Sequence, residues 1–191
     1  MGRWVPGTQM IFLRNIALFL VGICFASAAP AQTGKESLSR YQLGAGDVIS
    51  IVVYGEDDLK RGPIKLTDAG TISYPVLGEL EVLGRTVGEL EKIIADGLRG
   101  RYLVNPRVAV SVEEYRPFFI NGQVKKGGSY PFQPGLTVRK AVSVAGGFTE
   151  RASKEKIFIV HDKEKEAKPE KVDIDAPVLP GDIITVEESF F

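Results

Sequence analysis

Histidine and cysteine, the residue types most often used for metal binding and nucleophilic catalysis, each occur once in the 191 residues, as His161 and Cys24. A metal centre needs several ligands gathered at one point. A lone histidine at the edge of the charged stretch 162–171 therefore reads as structural or solvent-facing. Triad chemistry has no foothold, because no G-x-S-x-G occurs and His161 has no motif-embedded serine near it. Paired carboxylates are the chemistry of glycoside cleavage, but Glu56-Asp57-Asp58 and Glu113-Glu114 read as solvated edges. Neither a P-loop nor G-x-G-x-x-G is present, so a nucleotide would lack its phosphate cradle. The expectation is a protein with no catalytic residue, no cofactor and no metal site.

Two aspartates stand apart because their surroundings repeat. Leu43-Gly44-Ala45-Gly46-Asp47-Val48-Ile49-Ser50-Ile51 is echoed by Leu179-Pro180-Gly181-Asp182-Ile183-Ile184-Thr185-Val186. Each places Gly-Asp immediately before a β-branched run. Glycine permits the positive φ of a tight turn, and an aspartate side chain can accept hydrogen bonds from nearby amides. Gly46-Asp47 and Gly181-Asp182 therefore read as strand starts, not as catalytic acids.

The elements that position these turns follow from patterning. Residues 48–54 are β-branched and aromatic, and 64–67 with 71–74 flank Asp68-Ala69-Gly70, which reads as a strand followed by a hairpin. A short strand is expected at 79–82. Thr86 and Glu89 form a capping box for a helix that buries Leu90, Ile93, Ile94 and Leu98. Asn105-Pro106 closes that connection, and 107–112 alternates as a half-buried strand does. A second unit begins near Pro117, with a hairpin of 118–121 and 130–133 across Lys125-Lys126-Gly127-Gly128. Thr137 caps a short helix that stops at Gly146-Gly147. Strands at 157–160 and 183–186 complete the unit, with 162–171 as a solvated loop. The fold class is α+β: two small units of mixed sheet with one helix each.

The N-terminus differs from the rest. Arg3 and Arg14 precede an apolar run, 16–29, which is short for a bilayer span of about 20 residues and reads as a secretory signal peptide. Ala29-Pro30-Ala31 fits a cleavage site before Gln32, with Ala26-Ser27-Ala28 as the second choice; Met10 offers an alternative start. Ile23 before Cys24 does not fit a lipoprotein signal. Cleavage would remove Cys24 and Trp4, leaving no cysteine or tryptophan. The expected organisation is a signal peptide at 1–31, a polar leader at 32–40, and units at 41–115 and 116–191. Lys plus Arg and Asp plus Glu both number 24, so no net field favours nucleic acid.

The order of these motifs resembles the polysaccharide export protein family. The export-domain resemblance rests on residues 41–51, on Asp68-Ala69-Gly70-Thr71-Ile72-Ser73-Tyr74-Pro75-Val76-Leu77-Gly78, and on Tyr102 with Asn105-Pro106-Arg107-Val108. The second unit resembles the soluble-ligand-binding (SLBB) β-grasp domain, through Ile120-Asn121-Gly122-Gln123-Val124, residues 127–130, Leu136-Thr137, Ala145-Gly146-Gly147-Phe148-Thr149 and Leu179-Pro180-Gly181-Asp182. The motif residues Gly46, Asp47, Gly70, Pro75, Gly78, Asn105, Pro106, Gly122, Gly127, Gly146, Gly147, Gly181 and Asp182 are expected to be structural turn residues.

The resemblance implies a ring-forming homo-oligomer of the periplasm, associated with the outer membrane. Such a ring passes capsular or exopolysaccharide from an inner-membrane co-polymerase toward the cell surface, without a cofactor. Members that line their own pore carry a further C-terminal helix. Here Ile183 to Val186 reads as strand and the sequence ends at Phe190-Phe191, and with no good lipobox and one clear β-grasp repeat this implies a separate outer-membrane channel. A soluble saccharide-binding module is the competing reading, with Tyr115, Phe118, Phe119, Tyr130 and Phe132 as possible contacts. Their clustering favours core or interface.

Overall fold

The computed structural model describes residues 40–162 and 168–189, together with Gly2. The chain divides into residues 1–31 and 32–191, and every described element belongs to the second part. The expected signal peptide, residues 32–39 of the leader, 163–167 of the charged stretch and Phe190-Phe191 lie outside the described residues.

The architecture is α+β, with ten strands and two helices among the described residues. Strand β1 (Val48–Val53) is followed by a 3-10 turn at Asp57–Leu59, β2 (Arg61–Lys65), β3 (Thr71–Tyr74), β4 (Gly78–Glu81), helix α1 (Val87–Leu98) and β5 (Val108–Glu114). Then come β6 (Phe118–Gly122), β7 (Gly128–Tyr130), α2 (Val138–Val144), β8 (Ala152–Val160), β9 (Glu170–Val172) and β10 (Ile183–Glu188). They form sheets ordered β2-β1-β5 and β7-β6-β10-β8-β9, with β3-β4 as a separate hairpin. Only β10 and β6 pair in parallel, so the second sheet is mixed.

Period-two burial explains the first core. Ile49, Ile51 and Val53 are buried on one face of β1 and meet Leu90, Ile94 and Leu98 of α1. The helix starts on both halves of its capping box: Glu89 N–H donates to Thr86 Oγ1 (3.3 Å) and Thr86 N–H to Glu89 Oε2 (2.8 Å). These bonds hold the Glu89 carboxyl below its ordinary range. In the second core Phe118, Ile120, Ile157, Ile159, Ile184 and Val186 pack on Val138, Ala141 and Val142 of α2. That helix ends in a Schellman motif, with Gly147 N–H on Val142 O (2.9 Å), Gly146 N–H on Ser143 O (3.1 Å) and φ of +82° at Gly146.

Three expectations about pairing need correction. Residues 64–67 and 71–74 do not form a hairpin: β2 pairs with β1, and β3 pairs with β4. The Asp68-Ala69-Gly70 turn exists, with Gly70 at φ +79°, but Leu66 N–H donates to Asp47 O (2.8 Å) and keeps β2 on β1. The second hairpin uses Gly128–Tyr130 instead of 130–133, because Phe132 turns into the core. The charged stretch also contains a strand, β9, which pairs with β8 as a sheet edge. A three-residue polar edge buries too little to leave an apolar pattern.

Candidate functional site: a buried joint between two Gly-Asp turns

The two echoed turns meet. Asp47 is 0% exposed, Asp182 1% and Arg116 7%, the only polar or charged residues that are buried among those described. Arg116 lies between β5 and β6, in Tyr115-Arg116-Pro117. Its Nη1 donates to Tyr41 Oη (2.9 Å) and lies 3.5 Å from Asp47 Oδ2, while Nε is 3.2 Å from Asp162 Oδ2. That last contact is a charge attraction without hydrogen-bond alignment, since Nε has no hydrogen-bond partner.

Each aspartate also closes its own turn. Gly44 N–H donates to Asp47 Oδ2 (2.8 Å), and Leu179 N–H donates to Asp182 Oδ2 (2.7 Å), each across three residues. The remaining oxygens reach further. Asp47 Oδ1 accepts from Arg116 N–H (2.8 Å), its Oδ2 from Tyr41 Oη (2.6 Å), and Asp182 Oδ1 bonds His161 Nδ1 (2.8 Å). A buried carboxylate is tolerated only with this degree of satisfaction. Burial, and the Asp47 carboxylate it serves, hold the Tyr41 phenol well above its ordinary range.

Aromatic rings continue the joint into both cores. Tyr115 meets Tyr41 edge-on at 5.2 Å and Phe132 edge-on at 5.4 Å, and it packs against both buried clusters. The first sheet and the mixed sheet are therefore clamped through Tyr41, Asp47, Tyr115 and Arg116 on one side and His161 and Asp182 on the other. Arginine suits this position because its planar fork addresses several acceptors at once. No group of three or more His, Cys, Asp or Glu is arranged to hold a metal ion among the described residues. The arrangement is a structural clamp, its charged and polar groups engaged with one another.

Of the expected turn residues, only Gly46, Asp47, Gly181 and Asp182 are brought together. Gly70, Pro75 and Gly78 bracket β3 and its turn into β4, Asn105-Pro106 precedes β5, and Gly146-Gly147 end α2. Gly122 and Gly127 lie in the turn region of β6, Gly122 directly against Val186 of β10. Sequence reasoning missed Arg116. The available signal was a lone arginine between two β-rich runs, flanked by Tyr115 and Pro117. His161 was expected to be structural or solvent-facing, and it orients on Asp182.

The joint predicts an order of glycine effects. Gly46 and Gly181 have φ of +98° and +88°. A Cβ at Gly46 would lie 3.2 Å from Arg116 Cβ, whereas one at Gly181 would lie 2.6 Å from Arg116 Nε and 2.9 Å from Asp162 Oδ2. Gly46→Ala should cost about 1 kcal/mol, and Gly181→Ala more, as measured by thermal melting of both variants. Equal melting of both with the parent would refute the turn requirement.

A pH dependence follows from Asp182. Burial raises its pKa above the ordinary carboxylate value, against the opposing bonds from Leu179 and His161 and the charge of Arg116. The folded state thus keeps this proton to a higher pH than the unfolded chain. Its contribution to stability is full below the unfolded pKa, about 3.9, and is lost as pH rises through the raised folded value. Asp182→Asn removes that slope. Urea unfolding of both proteins across this window should show the variant gaining on the parent as pH increases.

Comparison with known proteins places this geometry. The polysaccharide biosynthesis/export protein family matches residues 35–113, and the SLBB domain matches residues 117–172. The exopolysaccharide production protein ExoF of Rhizobium meliloti (strain 1021) is 29% identical over 146 residues, covering 70% of this chain and 34% of its own length. The EPS I polysaccharide export outer membrane protein EpsA of Ralstonia nicotianae is 26% identical over 132 residues, covering 56% of this chain and 34% of that protein. EpsA of Ralstonia solanacearum is likewise 26% identical over 132 residues. The matched region spans about a third of the length of these curated relatives. A polysaccharide biosynthesis/export domain match, the Tyr115-Arg116 joint and an SLBB domain match follow one another along the chain, which is similar to polysaccharide export proteins.

Proposed function

We propose that this protein is a non-catalytic component of an exopolysaccharide or capsule export machine. It would act in the periplasm in association with the outer membrane, as a homo-oligomeric conduit or adaptor in contact with polysaccharide. Its partners would be an inner-membrane polysaccharide co-polymerase and a separate outer-membrane channel. The observation that carries this reading is the ordered pair of matched domains, locked together by the buried Asp47–Arg116 joint. A clamp of this kind gives a fixed relative geometry, which a ring subunit needs and an independently hinged capture domain does not. Among the described residues no helix is long and apolar enough to cross a membrane.

The aromatic residues also favour transport over capture of a small saccharide. Phe118 and Phe132 are buried, and Tyr115 and Tyr130 pack against the same core. Of the five aromatics considered as sugar contacts, Phe119 alone is exposed among large hydrophobic residues. Deletion of the gene, with surface and periplasmic polysaccharide assayed separately, tests the proposal. Loss of surface polymer with periplasmic or intracellular retention is the expected result, and unchanged surface polymer would overturn it. Native mass measurement separates the two readings, since a conduit assembles and a capture module stays monomeric.

A further inference from the structure

At the opposite end of β1 from Asp47, the loop joining α1 to β5 presents an unusual surface. Residues 99–107 read Arg-Gly-Arg-Tyr-Leu-Val-Asn-Pro-Arg, with three arginines and no acid. Arg99 pairs with Asp96 (2.6 Å), whereas neither Arg101 nor Arg107 forms an ion pair among the described residues. The acidic run Glu56-Asp57-Asp58 lies beyond Tyr54, the cross-strand neighbour of Arg107, and pairs with none of these arginines. The loop is well tied down: Tyr102 and Leu103 N–H groups donate to Leu98 O (3.1 and 2.9 Å), and Gly100 N–H donates to Leu103 O (2.8 Å).

An aliphatic residue projects from it. Val104 is 95% exposed, and Val76, in the neighbouring β3–β4 turn, is 51% exposed. Val76 also has φ +58°, the one positive value at a non-glycine among the described residues. That conformation is disfavoured for a β-branched side chain. The Tyr102 hydroxyl fastens the turn by donating to Val76 O (3.3 Å), and the Arg101 guanidinium lies 5.5 Å over the Tyr102 ring. A carbohydrate platform would offer an open aromatic face and free hydrogen-bonding groups. Here the tyrosine hydroxyl is already engaged, one ring region carries a guanidinium, and the projecting residues are two valines.

Aliphatic tips, a tyrosine and unpaired arginines instead match the boundary between anionic headgroups and acyl chains. We propose that the knuckle formed by Val76 and residues 99–107 rests on an anionic phospholipid surface, with Val76 and Val104 entering the acyl boundary and Arg101 and Arg107 meeting headgroup phosphates. This goes beyond the transport reading and does not depend on it.

The apolar run near the N-terminus can itself partition into lipid, so the test must read one position. Full-length chain carrying Cys24→Ser and Val104→Cys is labelled with the polarity-sensitive fluorophore NBD and mixed with vesicles of phosphatidylglycerol and phosphatidylethanolamine. A second protein, labelled through Cys24→Ser with Glu155→Cys, reports on the opposite unit. The label at 104 should brighten by about twofold or more, shift to the blue and be quenched by lipid-borne quencher, as burial in the boundary requires. The label at 155 should stay aqueous. Arg101→Glu with Arg107→Glu should return the 104 signal to its aqueous value, with circular dichroism confirming the fold. An aqueous 104 label in anionic vesicles overturns the proposal, as does equal burial in phosphatidylcholine alone. A signal produced by polygalacturonate without vesicles also overturns it, and assigns the knuckle to acidic polymer.

Discussion

Replacing Asp47 with alanine should cost about 3–5 kcal/mol of folding stability, the range found when one partner of a buried ion pair is removed. The carboxylate is fully buried and accepts from Tyr41 Oη, Gly44 N–H and Arg116 N–H, with the Arg116 guanidinium beside it. Its removal leaves three donors without their acceptor and Arg116 with Asp162 as its remaining ion-pair partner. Arg116→Met should cost less, because the hydrogen bonds from Tyr41, Gly44 and the backbone of residue 116 remain on Asp47. In the double variant the loss should fall short of the sum of the singles, since each removes the same contact. Urea unfolding of the three variants measures all of this, and an Asp47→Ala loss below about 1 kcal/mol would dismiss the clamp as a stabilising element.

Gly122→Ala should be comparably severe, for a different reason. Gly122 has φ +83°, and an added Cβ would fall onto the Val186 carbonyl oxygen, the same oxygen that accepts from Gln123 N–H (2.8 Å). The left-handed backbone contributes about 1–2 kcal/mol, overpacking about 1–3 kcal/mol, and the damaged hydrogen bond about 1 kcal/mol. The neighbour is backbone of β10 in register with β6, with Val186 opposite Gly122, so it cannot withdraw without opening the parallel pair. Gly147→Ala is the control: φ is +92°, but nothing lies within 4 Å of the added carbon, and only the backbone contribution should appear. Equal melting temperatures for the two variants would show that the steric contact is not decisive.

The two faces of the second sheet differ. Its outer face carries Phe119 beside Ile183 in parallel register, both partly exposed, whereas its inner face is sealed by α2. The side chains between that sheet and α2 form a packed core.

Much of the local structure was legible in the residues alone. The capping box at Thr86 and Glu89, the glycine stop of α2 and the positive φ of Gly46 and Gly181 obey rules that operate within three or four residues. The bonds from Gly44 N–H to Asp47 and from Leu179 N–H to Asp182 each span three residues, so the two turns could be anticipated from their repeated wording. In β1, Val-Ile-Ser-Ile-Val-Val, only Ser50 is polar, so the packing against α1 decided which face is buried. Tertiary structure decided which strand each segment joined, so that β3 found β4 and left β2 on β1. It also decided that the two turns share one arginine: Arg116 N–H reaches Asp47 across 69 residues, and Asp162 and Asp182 arrive from other strands. The physical reason is that a hydrogen bond within a turn is specified by backbone geometry, whereas a buried charge is satisfied only by whatever distant groups the packing of two cores delivers to it.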